Sequence, residues 1–203
     1  MTLSSIEHAD DPRRRAVLEV AARLLSEEGP AGLTLRRVGA EAGGSTQLVY
    51  TLFGGKPGLA AALYVEGFGR LAAAMDAGLA AGPPVGDPER LVAVGRAYCD
   101  FAVAEPSFFS VMFAGDVAGH VPDAATRARC RASTLGRVVA TVEECVAAGT
   151  LVSDDAEALA HCCWASAHGL AGLLVADLFP DDPALVDTGL RAVVTAHRPD
   201  VVR

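Results

Sequence analysis

Between Val17 and Leu25 the apolar side chains of Val17, Val20, Ala21, Leu24 and Leu25 fall on one face of a helix, with Glu19 and Arg23 on the positions between them. A spacing of three and four residues lays one stripe along a helix, and it recurs through most of the chain with little of the alternation that marks strands. Glycine and proline cut the pattern into pieces. A first helix is predicted over 12–28, with Asp11 as N-cap and Pro12 at the first helical position, ending at Gly29 and Pro30. A second is capped by the Thr34 hydroxyl and turns Leu35, Val38 and Ala42 to one side, Arg36, Arg37 and Glu41 elsewhere, before Gly43 and Gly44 stop it. A third, capped by Ser45, lasts only to about residue 52. Six more are predicted over 57–81, 87–105, 106–113, 122–148, 154–178 and 183–197. The fold class is all-α, about nine helices, with no internal repeat.

The third helix carries the first hint of chemistry. On a helical wheel Ser45, Val49, Leu52 and Phe53 share one face, while Thr46, Gln47, Tyr50 and Thr51 share the other. The first face anchors the helix on its neighbours. The second is polar, uncharged and rich in hydrogen-bonding groups, which describes a solvated helix in an ordinary bundle or a reader of base edges. Gln pairs bidentately with adenine, Thr offers a hydroxyl or a methyl to thymine, and a Tyr hydroxyl reaches a phosphate. A Gly-Gly turn before this helix supplies the bend of a helix-turn-helix unit.

Charge sharpens the picture. The chain is net −8 overall, an unpromising value for a polyanion binder. Yet Pro12 to Pro57 holds seven basic and four acidic residues, whereas ten arginines face eighteen acids from Gly58 onward. The basic stretch and the acidic remainder call for different partners. Arg13, Arg14 and Arg15 either add sequence-independent attraction to phosphates or form a plain solvated face. Lys56 precedes Pro57 at a helix start, where free amides and the positive dipole end favour a phosphate.

Residues 12–63 resemble the DNA-binding region of the TetR family of transcriptional repressors. The family's third helix commonly has Ser, three variable residues, an aliphatic residue and Tyr, then Phe three further on and Lys shortly after. Ser45, Val49, Tyr50, Phe53 and Lys56 stand in that register. The resemblance implies a ligand-responsive repressor, with DNA-binding residues Thr34, Arg36, Ser45, Thr46, Gln47, Leu48, Tyr50, Thr51 and Lys56: Thr34 and Tyr50 on phosphates, Thr46 and Gln47 near base edges, Lys56 on the backbone. Leu48 departs from a position that is often Thr, so a methyl contact with thymine or simple packing replaces the hydroxyl. The expected domains are 1–56 for DNA binding and 57–203 for ligand binding and dimerisation.

In the second part, aromatic and sulfur side chains concentrate between Tyr64 and Phe113, as core residues or as the lining of an apolar pocket. The segments PSFFSVMF (106–113) and WASAHGL (164–170) resemble one branch of the same family, the latter as a Trp, three residues, His-Gly signature. By that likeness Tyr64, Phe68, Tyr98, Phe101, Phe108, Phe109, Met112, Trp164 and His168 are candidate ligand-binding residues for a small apolar effector. Ala165, Ala167, Gly169, Ala171 and Gly172 lie among leucines on a helix apolar on most sides, and the family analogy pairs two such copies as a homodimer.

Other chemistries find little support. GGK at 54–56 is not a phosphate-binding P-loop, Gly43 to Gln47 lacks the final Gly of a nucleophile elbow, and HExxH is absent. No enzyme and no cofactor are expected; the alternative is a helical protein-interaction module. His161 and His168 are two turns, about 10 Å, apart, too far for one metal ion. Five cysteines, odd in number and without a CxxC pair, fit a reducing cytoplasm, with Cys162 and Cys163 read as small buried residues. The stretch 164–176 is too short to span a bilayer, and no secretory signal is expected.

Overall fold

Each early helix starts where a short polar side chain replaces a missing backbone partner. In the computed structural model, which describes residues 11–117 and 119–200, Asp11 accepts a hydrogen bond from the Arg13 amide at 2.9 Å and opens α1 (Pro12–Gly32). Thr34 accepts from the Arg37 amide and opens α2 (Leu35–Glu41). Ser45 accepts from the Leu48 amide and opens α3 (Thr46–Phe53). The first of these is interrupted: Gly29 has φ 68° and ψ −168°, so the regular part ends at Glu28, as the Gly-Pro pair predicts, and 30–32 form a separate turn. The remaining helices are α4 (Lys56–Ala81), α5 (Glu89–Ala104), α6 (Pro106–Phe113), α7 (Ala124–Ala147), α8 (Ala156–Val175) and α9 (Pro183–Thr195). The described residues contain these nine helices and one isolated bridge between Val117 and His120, and no strand.

Packing divides the chain into two compact units. One holds the chain up to Gly67 together with Pro106–Arg127; the other holds Phe68–Glu105 and Ala128 onward. In the first, α1 buries Val17, Leu18, Ala21, Ala22, Leu24 and Leu25 against α2 and α6, and α2 packs on α3. Helix α6 contributes Phe108, Phe109, Val111 and Met112 to this core. Gly67 permits the approach, since a Cβ there would stand 2.6 Å from Met112 Cγ. Residues 106–127, which the sequence groups with the acidic remainder, therefore pack with the N-terminal helices.

In the second unit α5 lies against α8 and α9, which also pack on each other. Tyr98, Leu91, Val94, Val142 and Leu159 fill the space between helices. The buried hydroxyls of Thr134 and Thr141 donate back to the carbonyls of Cys130 and Arg137, so neither is left unsatisfied. Arg137 grips Asp76 through two hydrogen bonds of 2.5 and 2.6 Å, and Arg191 pairs with Glu89 at 2.8 Å.

One face of α8 is left open. Cys162, Ala165, Gly169, Gly172 and Leu173 are exposed, and a Cβ at Gly169 or Gly172 would meet nothing within 4 Å. With 20 residues and a mean hydropathy of 1.4, α8 is long and apolar enough to cross a membrane by length and composition, which corrects the expectation drawn from 164–176 alone. The run without Asp, Glu, Lys or Arg extends from Ala158 to Ala176, and the helix begins two residues earlier at Ala156.

Candidate nucleic-acid interface and ligand chamber

Helix α3 is fixed by contacts at both ends. At its start a Cβ on Gly39 would lie 2.6 Å from the Ser45 carbonyl, so the backbone of α2 touches the entry to α3. Only the absence of a side chain lets the two helices meet so closely. Gly43, at φ 73°, makes the turn between them. At its end Gly54 takes the left-handed conformation and donates its amide to the Tyr50 carbonyl at 2.8 Å. The one fully buried side chain of α3 is Val49, with Leu52 and Phe53 half-buried beside it.

Gln47, Tyr50 and Thr51 are exposed, Tyr50 to 52%, and Thr46 is half-buried. The Thr51 hydroxyl donates to the Gln47 carbonyl at 2.9 Å, which leaves its oxygen lone pairs and its methyl free to face a partner. Leu48 is half-buried and packs over Gly44, so packing is the role it adopts within the chain. Thr34 and Arg36 are exposed on the neighbouring helix. Lys56, the first residue of α4, reaches the Pro30 carbonyl at 3.5 Å and stays half-exposed.

The basic stretch is less available than its count implies. Arg37 donates to both Glu28 and Glu41, the latter at 2.7 Å, and Arg23 donates to Glu27 at 2.9 Å and to Glu41. Arg23–Glu41 and Arg37–Glu28 lace α1 to α2, while Arg23–Glu27 and Arg37–Glu41 lie within one helix each. The i, i+4 spacings of Arg23 with Glu27 and Arg37 with Glu41 signal half of this lattice in the sequence; the contacts across helices have no such signature. Hydrogen bonds from Arg37 hold the carboxyls of Glu28 and Glu41 below the usual carboxylate range, with Arg23 adding to the effect on Glu41. A native pKa below the unfolded value stabilises the fold fully above the ordinary carboxylate range and is lost as pH falls through the native value. Stability of the N-terminal unit is therefore expected to be flat from neutral pH to about 5 and to drop below about 4.5. Denaturant titrations at each pH will check this, and Glu41→Gln should make the acid-side drop shallower; an equally steep drop would exclude the lattice as its cause.

In the second unit Tyr98, 1% exposed, places its hydroxyl 2.8 Å from His168 Nδ1, and the Trp164 ring lies tilted 6.4 Å from the imidazole. Burial lowers the pKa of His168 and raises that of Tyr98, so both stay neutral at neutral pH. The buried Trp164 indole N–H approaches Tyr98 but finds no acceptor at hydrogen-bond geometry. Tyr98 and Trp164, together with Met75, Val94, Val138 and Cys163, line a cavity of about 10 Å³, room for roughly one water molecule, with no charged side chain in its wall. A larger occupant has to widen it.

The aromatic concentration of the sequence is thus divided. Tyr64, Phe108, Phe109 and Met112 belong to the first unit; Phe68 and Phe101, both buried, belong to the second with Tyr98, Trp164 and His168. A shallower groove, lined by Pro84, Asp87, Gly149 and Arg198 and enclosing about 690 Å³, has no counterpart in the sequence expectations. Cys162 corrects another expectation, being exposed rather than buried, whereas Cys163 is half-buried with its thiol pushed up to about 11 by desolvation. The periodicity could not separate them, because which flank of α8 is covered depends on α5 and α9.

Residues 17–63 match the bacterial regulatory proteins of the tetR family, and residues 91–197 match the tetracyclin repressor-like C-terminal domain. No curated protein matches. Among solved structures, a protein of unknown function from Rhodococcus sp. RHA1 is 28% identical, with 93% of this chain and 94% of that one covered at a TM-score of 0.74. A TetR family transcription regulator from Marinobacter aquaeolei VT8 (15% identity, 95% and 98% covered, TM-score 0.77) shares the fold. So does the fatty acid degradation regulator FadR from Bacillus halodurans (15%, 93% and 99%, TM-score 0.76).

Proposed function

From the premise that the chain belongs to the TetR family of transcription regulators, with a DNA-binding helix-turn-helix domain and a C-terminal ligand domain, we propose a homodimeric repressor that leaves its operator when a small, neutral, apolar effector binds. Residues 1–56 bind DNA, and 57–203 bind the effector and the second copy. The observation that carries this reading is the outer face of α3, where Gln47, Tyr50 and Thr51 are exposed and uncharged while Val49 anchors the helix from behind. Such a face fits a major groove, with Thr46 and Gln47 toward base edges, Thr34, Ser45, Tyr50 and Lys56 toward phosphates, and Arg36 and Thr51 at the margin.

The open stripe of α8 is covered by its two-fold mate, and the symmetry sets two reading helices about one turn of DNA or more apart. The effector enters beside Trp164 and His168, in the branch marked by the Trp, three residues, His-Gly signature. It acts by preferring a dimer geometry that no longer fits adjacent grooves; tight binding without that preference shifts nothing. The protein works in the cytoplasm and has no catalytic role.

Retardation of DNA from upstream of its own gene tests the first step. Tyr50→Phe and Lys56→Ala should each weaken binding several-fold at moderate salt with the helical content unchanged. Wild-type affinity in both variants would refute the assignment, and an unshifted duplex with wild-type protein would favour a module that binds only other proteins.

A further inference from the structure

Of the basic side chains at the start of α1, Arg13 pairs with its own cap Asp11 and is 71% exposed, and Arg15 is exposed with no carboxylate partner among the described residues. Arg14 differs from both. Its side chain is 20% exposed, its guanidinium carbon stands 5.5 Å over the centre of the Phe53 ring, and its Nη1 lies 3.5 Å from Glu66 Oε2. Phe53 is the last residue of α3 and Glu66 lies on α4, so one side chain from α1 touches both other elements. A cation in the first turn of a helix is placed against the helix dipole. An aromatic face and a carboxylate together offset that cost, and a planar guanidinium stacks on one while donating to the other.

Resting on the proposed DNA-binding role of α3, we infer that Arg14 is a positioning residue that clamps the C-terminal end of the reading helix through Phe53, and that it does not contact phosphate. The polar face of α3 is only two turns long, so its aim depends on both ends being held. Gly39 holds the start through backbone contact with Ser45, and Arg14 holds the end. The cations left for phosphates are the exposed Arg15 and Arg36 and the half-exposed Lys56, none of which has a carboxylate partner among the described residues.

The two roles differ in their salt dependence. A phosphate contact contributes about 0.9 to the slope of log Kobs against log salt for each charge, or about 1.8 for a dimer, whereas a positioning contact contributes nothing to it. The full-length protein is first used to select duplexes from a random-sequence pool, and the best of them is titrated by fluorescence anisotropy over a salt series. Arg14→Met should bind it about fivefold more weakly per subunit, with the wild-type slope, the magnitude of one partly exposed cation–π contact and its ion pair. Phe53→Leu should cost a similar factor, and the double variant little more than either alone. Circular dichroism melts of each variant keep loss of aim separate from loss of fold. A slope reduced by about 1.8 in Arg14→Met, full additivity with Phe53→Leu, or unchanged affinity would each overturn the clamp. Failure of the wild-type protein to enrich any duplex would instead overturn the DNA-binding reading itself, before a variant is made.

Discussion

Gly169→Arg is expected to yield a folded monomer that no longer holds its operator. The position lies about two-thirds of the way along α8, and the space where its side chain would grow is empty, so an arginine enters the isolated chain without a clash. Replacing a helical glycine even adds roughly 0.5 kcal/mol of helix propensity. In a symmetric dimer built on this stripe the same side chain appears twice, buried against an apolar partner. Several kcal/mol per unpaired buried ion is more than a typical dimer interface can absorb. Loss of the second half-site then removes the gain from linked binding, and operator affinity should fall by a factor of 100 or more. Analytical ultracentrifugation would report the halved mass. An intact dimer with unchanged operator affinity would show that this face of α8 meets something other than a second copy.

Phe108→Ala decides a different question, namely whether α6 is a wall for the effector or a brace for the reading domain. Phe108 is 1% exposed and lies beside Met112 in the first unit, where both approach Gly67. Truncating a buried phenylalanine removes its transfer free energy and leaves a cavity, at a cost of about 3–5 kcal/mol. Against a total of about 5–15 kcal/mol for a domain, that loss is large enough to weaken DNA binding through partial unfolding alone. Denaturant midpoints will measure it. A loss under about 1 kcal/mol, with an altered effector response, would return Phe108 to the ligand wall.

What could be read along the chain was local. Asp11, Thr34 and Ser45 each bond an amide two or three residues away, so their capping role needs no knowledge of the fold, and the nine helices follow from caps, glycines and stripe spacing. The two faces of α3 were legible for the same reason. Phe108 shows the limit: its side of α6 is apolar in the sequence, yet whether that side meets α1 or a cavity is settled by docking between segments some ninety residues apart. Arg14 and Arg37 show it for charge. Counting them as free cations overstated what phosphates can find, because Glu66 and Glu28 come from other helices. Gly39 carries a signal of its own, since a lone glycine inside a helical stripe marks close backbone approach.

The uneven exposure of the five thiols gives the protein a built-in reporter. Cys162 is the one exposed cysteine, on the same open stripe as Gly169, while burial raises the pKa of the other four and pushes Cys99 up to about 12. A maleimide dye should consequently modify a single site and, if the proposed dimer closes over this stripe, do so fast on dilution and slowly in concentrated solution. The labelling rate would then read out the monomer–dimer equilibrium in native protein, with no tag introduced.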